Sequence, residues 1–123
     1  MTFADISFEG AKVKILQPKE ILFKEGSIAS EMFYIESGTL DIFKEVDGER
    51  VKLGKVSDGE FLGERAILGE GLPRTATAEA RTECEVVIID KEHCKKYYDE
   101  LPPFLQKVMA SMAIRLQKTN EMV

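Results

Sequence analysis

Over the first three quarters of the chain, apolar positions either alternate with polar ones or gather in short β-branched runs. Val13 with Ile15, Ile21 with Phe23, Met32 to Ile35, and Leu40 with Ile42 (followed by Phe43) mark these runs. A period of two sets one side of a strand on a core and the other in water. Gly26, Gly38, Gly48 and Gly59 separate the runs at intervals of 10 to 12 residues, the turn spacing of a sandwich or barrel. Asp47-Gly48 sits at the centre of IFKEVDGERVKLGKV, and Asp-Gly supplies the positive φ angles of a tight hairpin turn. Two more strands are predicted after residue 74, in TATAEAR and CEVVIID. The unbroken Val86-Val87-Ile88-Ile89 run predicts a strand buried on both faces.

The period then changes. Asp90 is a candidate N-cap for a short helix through KEHCKKYY. Pro102-Pro103 interrupts that helix and can open another, because proline suits a first helical turn. There Leu105, Val108, Met109, Met112, Ala113 and Leu116 form one apolar stripe at helical spacing. A stripe of this kind packs on the β-structure, seals a dimer, or moves as a lid; packing is the reading its periodicity favours. With no repeat, low-complexity segment or linker, residues 1–123 read as one domain, its β-part over about 10–90 and its helices over about 91–120.

Composition narrows the chemistry. There are 22 acidic against 17 basic side chains, a net charge of −5. An acidic chain repels a phosphate backbone, so no nucleic acid binding is expected of this chain alone. No apolar run approaches the ~20 residues of a membrane helix, and MTFADISFEG lacks the basic start and apolar core of a signal peptide. No membrane partner and a cytoplasmic location are the resulting expectations. Cys84 and Cys94 are too few for a disulfide scaffold. The single histidine, His93, lies in a charged helical run and reads as a solvated surface residue, which disfavours a metal-binding β-barrel enzyme.

The informative segment is residues 58–78, DGEFLGERAILGEGLPRTATA. Gly59, Gly63, Gly69 and Gly71 break it up, leaving ERAIL room for a helix of one and a half turns. A glycine-opened helix start offers unpaired N–H groups, and the absent Cβ lets an anion come close. Pro73 sets the backbone before Arg74, whose guanidinium can grip two phosphate oxygens. Glu64 cannot bind phosphate, but its carboxylate suits sugar hydroxyls. Together these residues describe a site for a sugar phosphate. The competing reading of Arg74 is a surface ion pair with Glu60, Glu70 or Glu79. A P-loop is excluded because no Gly-Lys-Ser/Thr follows the glycines, and a dinucleotide fold because G-x-G-x-x-G is absent.

FLGERAILGEGLPRTATA resembles the phosphate-binding cassette of cyclic nucleotide-binding domains, the family of kinase regulatory subunits, gated channels and the catabolite activator. The likeness extends through FYIESGTL, Asp58-Gly59 and the closing helices to Ala-x-Arg-Leu at Leu116. It implies an eight-stranded jelly-roll β-barrel with a short cassette helix and C-terminal helices. It implies a non-catalytic sensor that holds cAMP or cGMP, needs no cofactor or metal, and signals through its C-terminal helices to an effector or a second copy. A same-fold interaction module without nucleotide binding is the alternative. By resemblance, Glu64 meets the ribose 2′-hydroxyl and Arg74 the cyclic phosphate. The N–H groups of Ala66 and Thr75 complete the cradle, Gly63 admits the sugar, and Phe61, Leu62 and Met32–Ile35 wall the pocket. Arg65 departs from the family's usual Leu or Met and adds a charge beside the site. The Glu64-to-Arg74 spacing is that of the catabolite activator, which favours adenine, while the Thr75 hydroxyl leaves guanine open. Nothing follows the final helix in this sequence, so the chain reads as a fragment or as a protein that signals by association.

Overall fold

The computed structural model describes residues 11–63, 66 and 71–121, with 113–121 as backbone only. Eight strands precede two helices: β1 (Ala11–Leu16), β2 (Ile21–Phe23), β3 (Glu31–Ser37), β4 (Thr39–Val46), β5 (Glu49–Ser57), β6 (Phe61–Leu62), β7 (Thr77–Ala80) and β8 (Cys84–Asp90). The helices are α1 (Lys91–Asp99) and α2 (Pro103–Glu121). One antiparallel sheet has the order β1-β8-β3-β6 and the other β2-β7-β4-β5. The mainly β, eight-stranded expectation holds. The barrel is not closed, however: the strands divide into two sheets, with the core between them.

Side-chain alternation builds that core. Leu16, Phe33, Ile35, Leu40, Ala78, Ala80, Cys84 and Val86 are buried between the sheets. Val87 and Ile89, pointing the other way from β8, join Tyr34 in a second cluster with Ala11, Met32 and Cys94 of α1. The unbroken apolar run of β8 thus has a physical cause, because one face meets the opposite sheet and the other meets a helix. Val13 and Ile15 belong to β1 as expected, yet they face outward, 45% and 50% exposed. The β4–β5 hairpin turns on Asp47 and Gly48, both at positive φ (53° and 79°), as a two-residue turn matched to strand twist requires.

Asp90 caps α1, its carboxylate accepting the Glu92 N–H at 2.6 Å. At the other end Gln106 of α2 reaches back. Its Nε2 donates to the Tyr98, Asp99 and Leu101 carbonyls at 3.0, 3.2 and 3.1 Å, and Tyr98 Oη donates to the Gln106 carbonyl at 2.8 Å. Carbonyls at and just beyond the end of α1 are thus met by an amide from the next helix, with the Tyr98 carbonyl also taking the Leu101 N–H at 3.0 Å.

Among the described residues, the apolar stripe of α2 is largely exposed, with Met109 lining a cavity shared with Met32 and Ile89. Leu105, Val108, Met109 and Met112 are 36%, 47%, 40% and 57% exposed, and the side chains of Ala113 and Leu116 lie outside the described residues. Periodicity marks a face that is apolar but cannot say what covers it. His93 also differs from expectation: it is half-buried, with Nδ1 shielded from solvent and unbonded among the described residues.

Candidate functional site

The site lies where the sheets approach each other beside β6. Gly63 follows β6 at φ +89°, a conformation that disfavours any side chain. Space is tight as well. A Cβ on Gly63 would stand 2.8 Å from Arg74 Nη1, 3.1 Å from the Glu31 carbonyl and 3.1 Å from Phe33 Cδ2. The approach this glycine permits in the structure is that of an arginine.

Arg74 is buried, at 5% exposure. Its Nη2 donates to the Glu31 carbonyl at 2.6 Å and its Nη1 to the Gly63 carbonyl at 3.3 Å. The guanidinium carbon lies 4.5 Å from the ring centre of Phe23 and 5.3 Å from that of Phe33. Phe23 comes from one sheet and Phe33 from the other, and their rings stack at 5.5 Å with an interplanar angle of 20°. Arg74 is thus not a surface side chain, and Glu79, one of its candidate partners, pairs with Arg50, while Glu70 lies outside the described residues.

The backbone around Arg74 is held just as closely. Its N–H donates to the Ser27 carbonyl at 2.6 Å, and its carbonyl accepts from Gly26 at 2.8 Å. Ala29 N–H donates to the Leu72 carbonyl at 2.8 Å, and Ile28 bridges Pro73. The downstream arm of the cassette is therefore tied to the β2–β3 connection, a partner that no local motif announces.

Of the other expected site residues, Ala66 is helical and buried, and its N–H donates to the Gly63 carbonyl at 3.2 Å. Thr75 follows Arg74 in a bend and is half-buried. Glu64 and Arg65, with most of the expected cassette helix, lie outside the described residues. The expected pocket wall divides by strand alternation. Phe33, Ile35 and Leu62 belong to the inter-sheet core, whereas Met32 and Tyr34 belong to the cluster on the opposite face. Phe61 stands with Tyr34, their ring centres 4.9 Å apart.

Other electrostatics sit away from Arg74. On the second sheet, Arg81 bonds Asp41 at 2.7 Å and Lys52 approaches it at 3.0 Å. The Arg81 bond chiefly holds the Asp41 carboxyl below its ordinary pKa. Burial pushes the Cys94 thiol up to about 11, with the Asp90 charge adding to the effect. Burial also raises Cys84.

A roll of two antiparallel sheets, with a positive-φ glycine packed against a buried arginine, defines the class. The family model for the cyclic nucleotide-binding domain matches residues 13–100, and the chain belongs to that family. It is 33% identical over 106 residues to the cAMP-activated global transcriptional regulator CRP of Escherichia coli O157:H7, covering 85% of this chain and 50% of the relative. Among solved structures it resembles the cyclic nucleotide-binding-like protein from Brucella abortus bv. 1 str. 9-941 (33% identity, TM-score 0.66, 74% of this chain and 78% of that one). It shares the fold of part of the EAL enzyme Bd1971 in its cAMP-bound form (23% identity, TM-score 0.77, 89% and 30% covered).

The chain spans about half the length of the curated relative. That relative is by name a transcriptional regulator, which overturns the exclusion of nucleic acid from the partners. The net charge of −5 covers only these 123 residues and measures average repulsion, whereas recognition depends on where charge is concentrated.

Proposed function

We propose that this chain is a regulatory module that binds a cyclic nucleotide without transforming it and reports occupancy through α1 and α2. The observation that carries the reading is Arg74, buried at the lip of the cassette and gripped at Gly63 and Glu31. A buried guanidinium bordered by a glycine-rich turn suits a cyclic phosphate, whose oxygens accept its paired N–H groups. In this reading Glu64 receives the ribose 2′-hydroxyl, Gly63 admits the sugar, and the Ala66 and Thr75 N–H groups finish the cradle, with Arg65 alongside. The Ala66 N–H donates to the Gly63 carbonyl at 3.2 Å, which sets it at the start of the cassette. Residues 1–123 are taken as one such module, and a cytoplasmic site of action accords with a ligand made inside cells.

A route to the helices is short. The Glu31 carbonyl accepts from Arg74, and the preceding carbonyl, of Ser30, accepts from the Lys91 N–H at the start of α1 at 3.0 Å. A phosphate that draws Arg74 from Glu31 loosens the same stretch of backbone that anchors α1. The size of any shift is bounded by the ligand's differential affinity for the two arrangements.

The test is calorimetric titration with cAMP and cGMP. Binding of cAMP is expected at least as tight as that of cGMP, in keeping with a cAMP-activated relative. Arg74→Lys should keep only part of the affinity, since a point charge lacks the two-pronged geometry. No binding of either nucleotide would leave the interaction-module reading. Tenfold tighter cGMP binding that Thr75→Ala abolishes would reverse the base preference.

A further inference from the structure

From the stacking of Arg74 we infer that Phe23 and Phe33 are positioning residues, a two-ring platform that orients the guanidinium and through it sets the affinity of the site for an anion. The inference rests on the nucleotide-binding reading for its ligand. A guanidinium is a flat cation, and its orientation needs both its edge and its face defined. The edge is defined by two backbone carbonyls, of Gly63 and Glu31. The face is defined by the rings, 4.5 and 5.3 Å from the guanidinium carbon. Ring quadrupoles attract a cation over their faces, more strongly where water is excluded, and Arg74 is 5% exposed.

The two rings also belong to different sheets and stack on each other. The arginine is thereby referenced to both halves of the roll and not only to its own loop. Phe33 is 2% exposed and part of the main core, so substitution there would confound positioning with packing. Phe23 is half-buried and packs at the edge of that core, which makes it the residue to change.

The experiment compares Phe23→Leu, which keeps apolar bulk and removes the aromatic face, with Phe23→Tyr, which keeps the face. Titration with cAMP should show about three- to tenfold weaker binding for Phe23→Leu and binding within about twofold of wild type for Phe23→Tyr. In an Arg74→Ala background, Phe23→Leu should cost nothing further, because the platform acts only through that arginine. The Arg74 Nε–H resonance supplies a readout independent of nucleotide. It should be displaced by the ring currents in the wild type and move back toward its ordinary position in Phe23→Leu. Should Phe23→Leu lose cooperative melting, Phe23→Met makes the same comparison. Equal affinity and an unmoved resonance in a folded Phe23→Leu, or a further loss from Phe23→Leu without Arg74, would overturn the platform. If wild type binds no nucleotide while the ring-dependent resonance is present, the nucleotide reading fails and the platform stands.

Discussion

At Arg74 one side chain serves two ends. An arginine waiting in an empty cradle would add little to the free protein, and its removal would then affect binding alone. The structure points otherwise, because Arg74 makes two charged hydrogen bonds to backbone carbonyls and contacts Phe23 and Phe33, all within the protein itself. Arg74→Ala is therefore expected to destabilise the ligand-free domain by roughly 2–3 kcal/mol, the scale of hydrogen bonds to a charged group. Its affinity for nucleotide should fall as well, by the 2–5 kcal/mol typical of a truncated buried charge pair. Denaturant melts and titration of the same variant measure the two losses, and an unchanged midpoint would place Arg74 outside the fold's framework. Gly63→Ala makes a related case. Positive φ costs an alanine roughly 1–2 kcal/mol, and here its Cβ would also meet Arg74 Nη1 at 2.8 Å. The variant should melt earlier and bind more weakly, which one thermal scan with and without nucleotide checks.

Among the elements, the α1–α2 junction carries more than the proline pair suggests. The Asp99 and Leu101 carbonyls bond the Gln106 amide, which also approaches the Tyr98 carbonyl already held by the Leu101 N–H. This clasp sets how α2 leaves α1, and so where the exposed stripe of Val108, Met109 and Met112 points. Gln106→Ala hands those carbonyls to water, at a cost of about 1 kcal/mol for this partly exposed site. Hydrogen exchange should speed up across residues 98–106 while the strands stay protected. Uniform exchange across the chain would show that the clasp does not set the helix angle. The contrast with Asp90 is instructive. An N-cap is a local device, readable from one residue before a helical run, whereas a side chain that caps the preceding helix is visible only once both helices are placed.

For the molecule as a whole, the outer face of the β1-β8-β3-β6 sheet makes stability depend on pH. Cys94 sits there with Met32, Val87 and Ile89, and burial raises its pKa from 9.0 to about 11. In the unfolded chain the thiol loses its proton first, so between these values the unfolded state binds fewer protons than the folded one. Stability is then fully present below pH 9 and is lost as pH rises toward about 11. Melting temperature measured from pH 8 to 11 should fall more steeply in wild type than in Cys94→Ala. Parallel curves would remove this thiol as the cause.

Several features were legible in residue order alone because their causes are local. Asp47-Gly48 predicts its own turn, Asp90 its own cap, and the doubled burial of β8 is written in four consecutive branched side chains. The resemblance to a cassette was legible for a similar reason, since it rests on a glycine, a proline and an arginine at fixed spacing. Tertiary structure decided what depends on residues far apart in the chain. It put Phe23 and Glu31 beside Arg74, paired residues 72–74 with 26–29, and sent Phe61 to the face opposite Phe33. It also left the described side chains of the α2 stripe exposed. Periodicity specifies which side of an element is apolar, but the partner across the gap is set by how two sheets and two helices pack, and that information resides in no single segment.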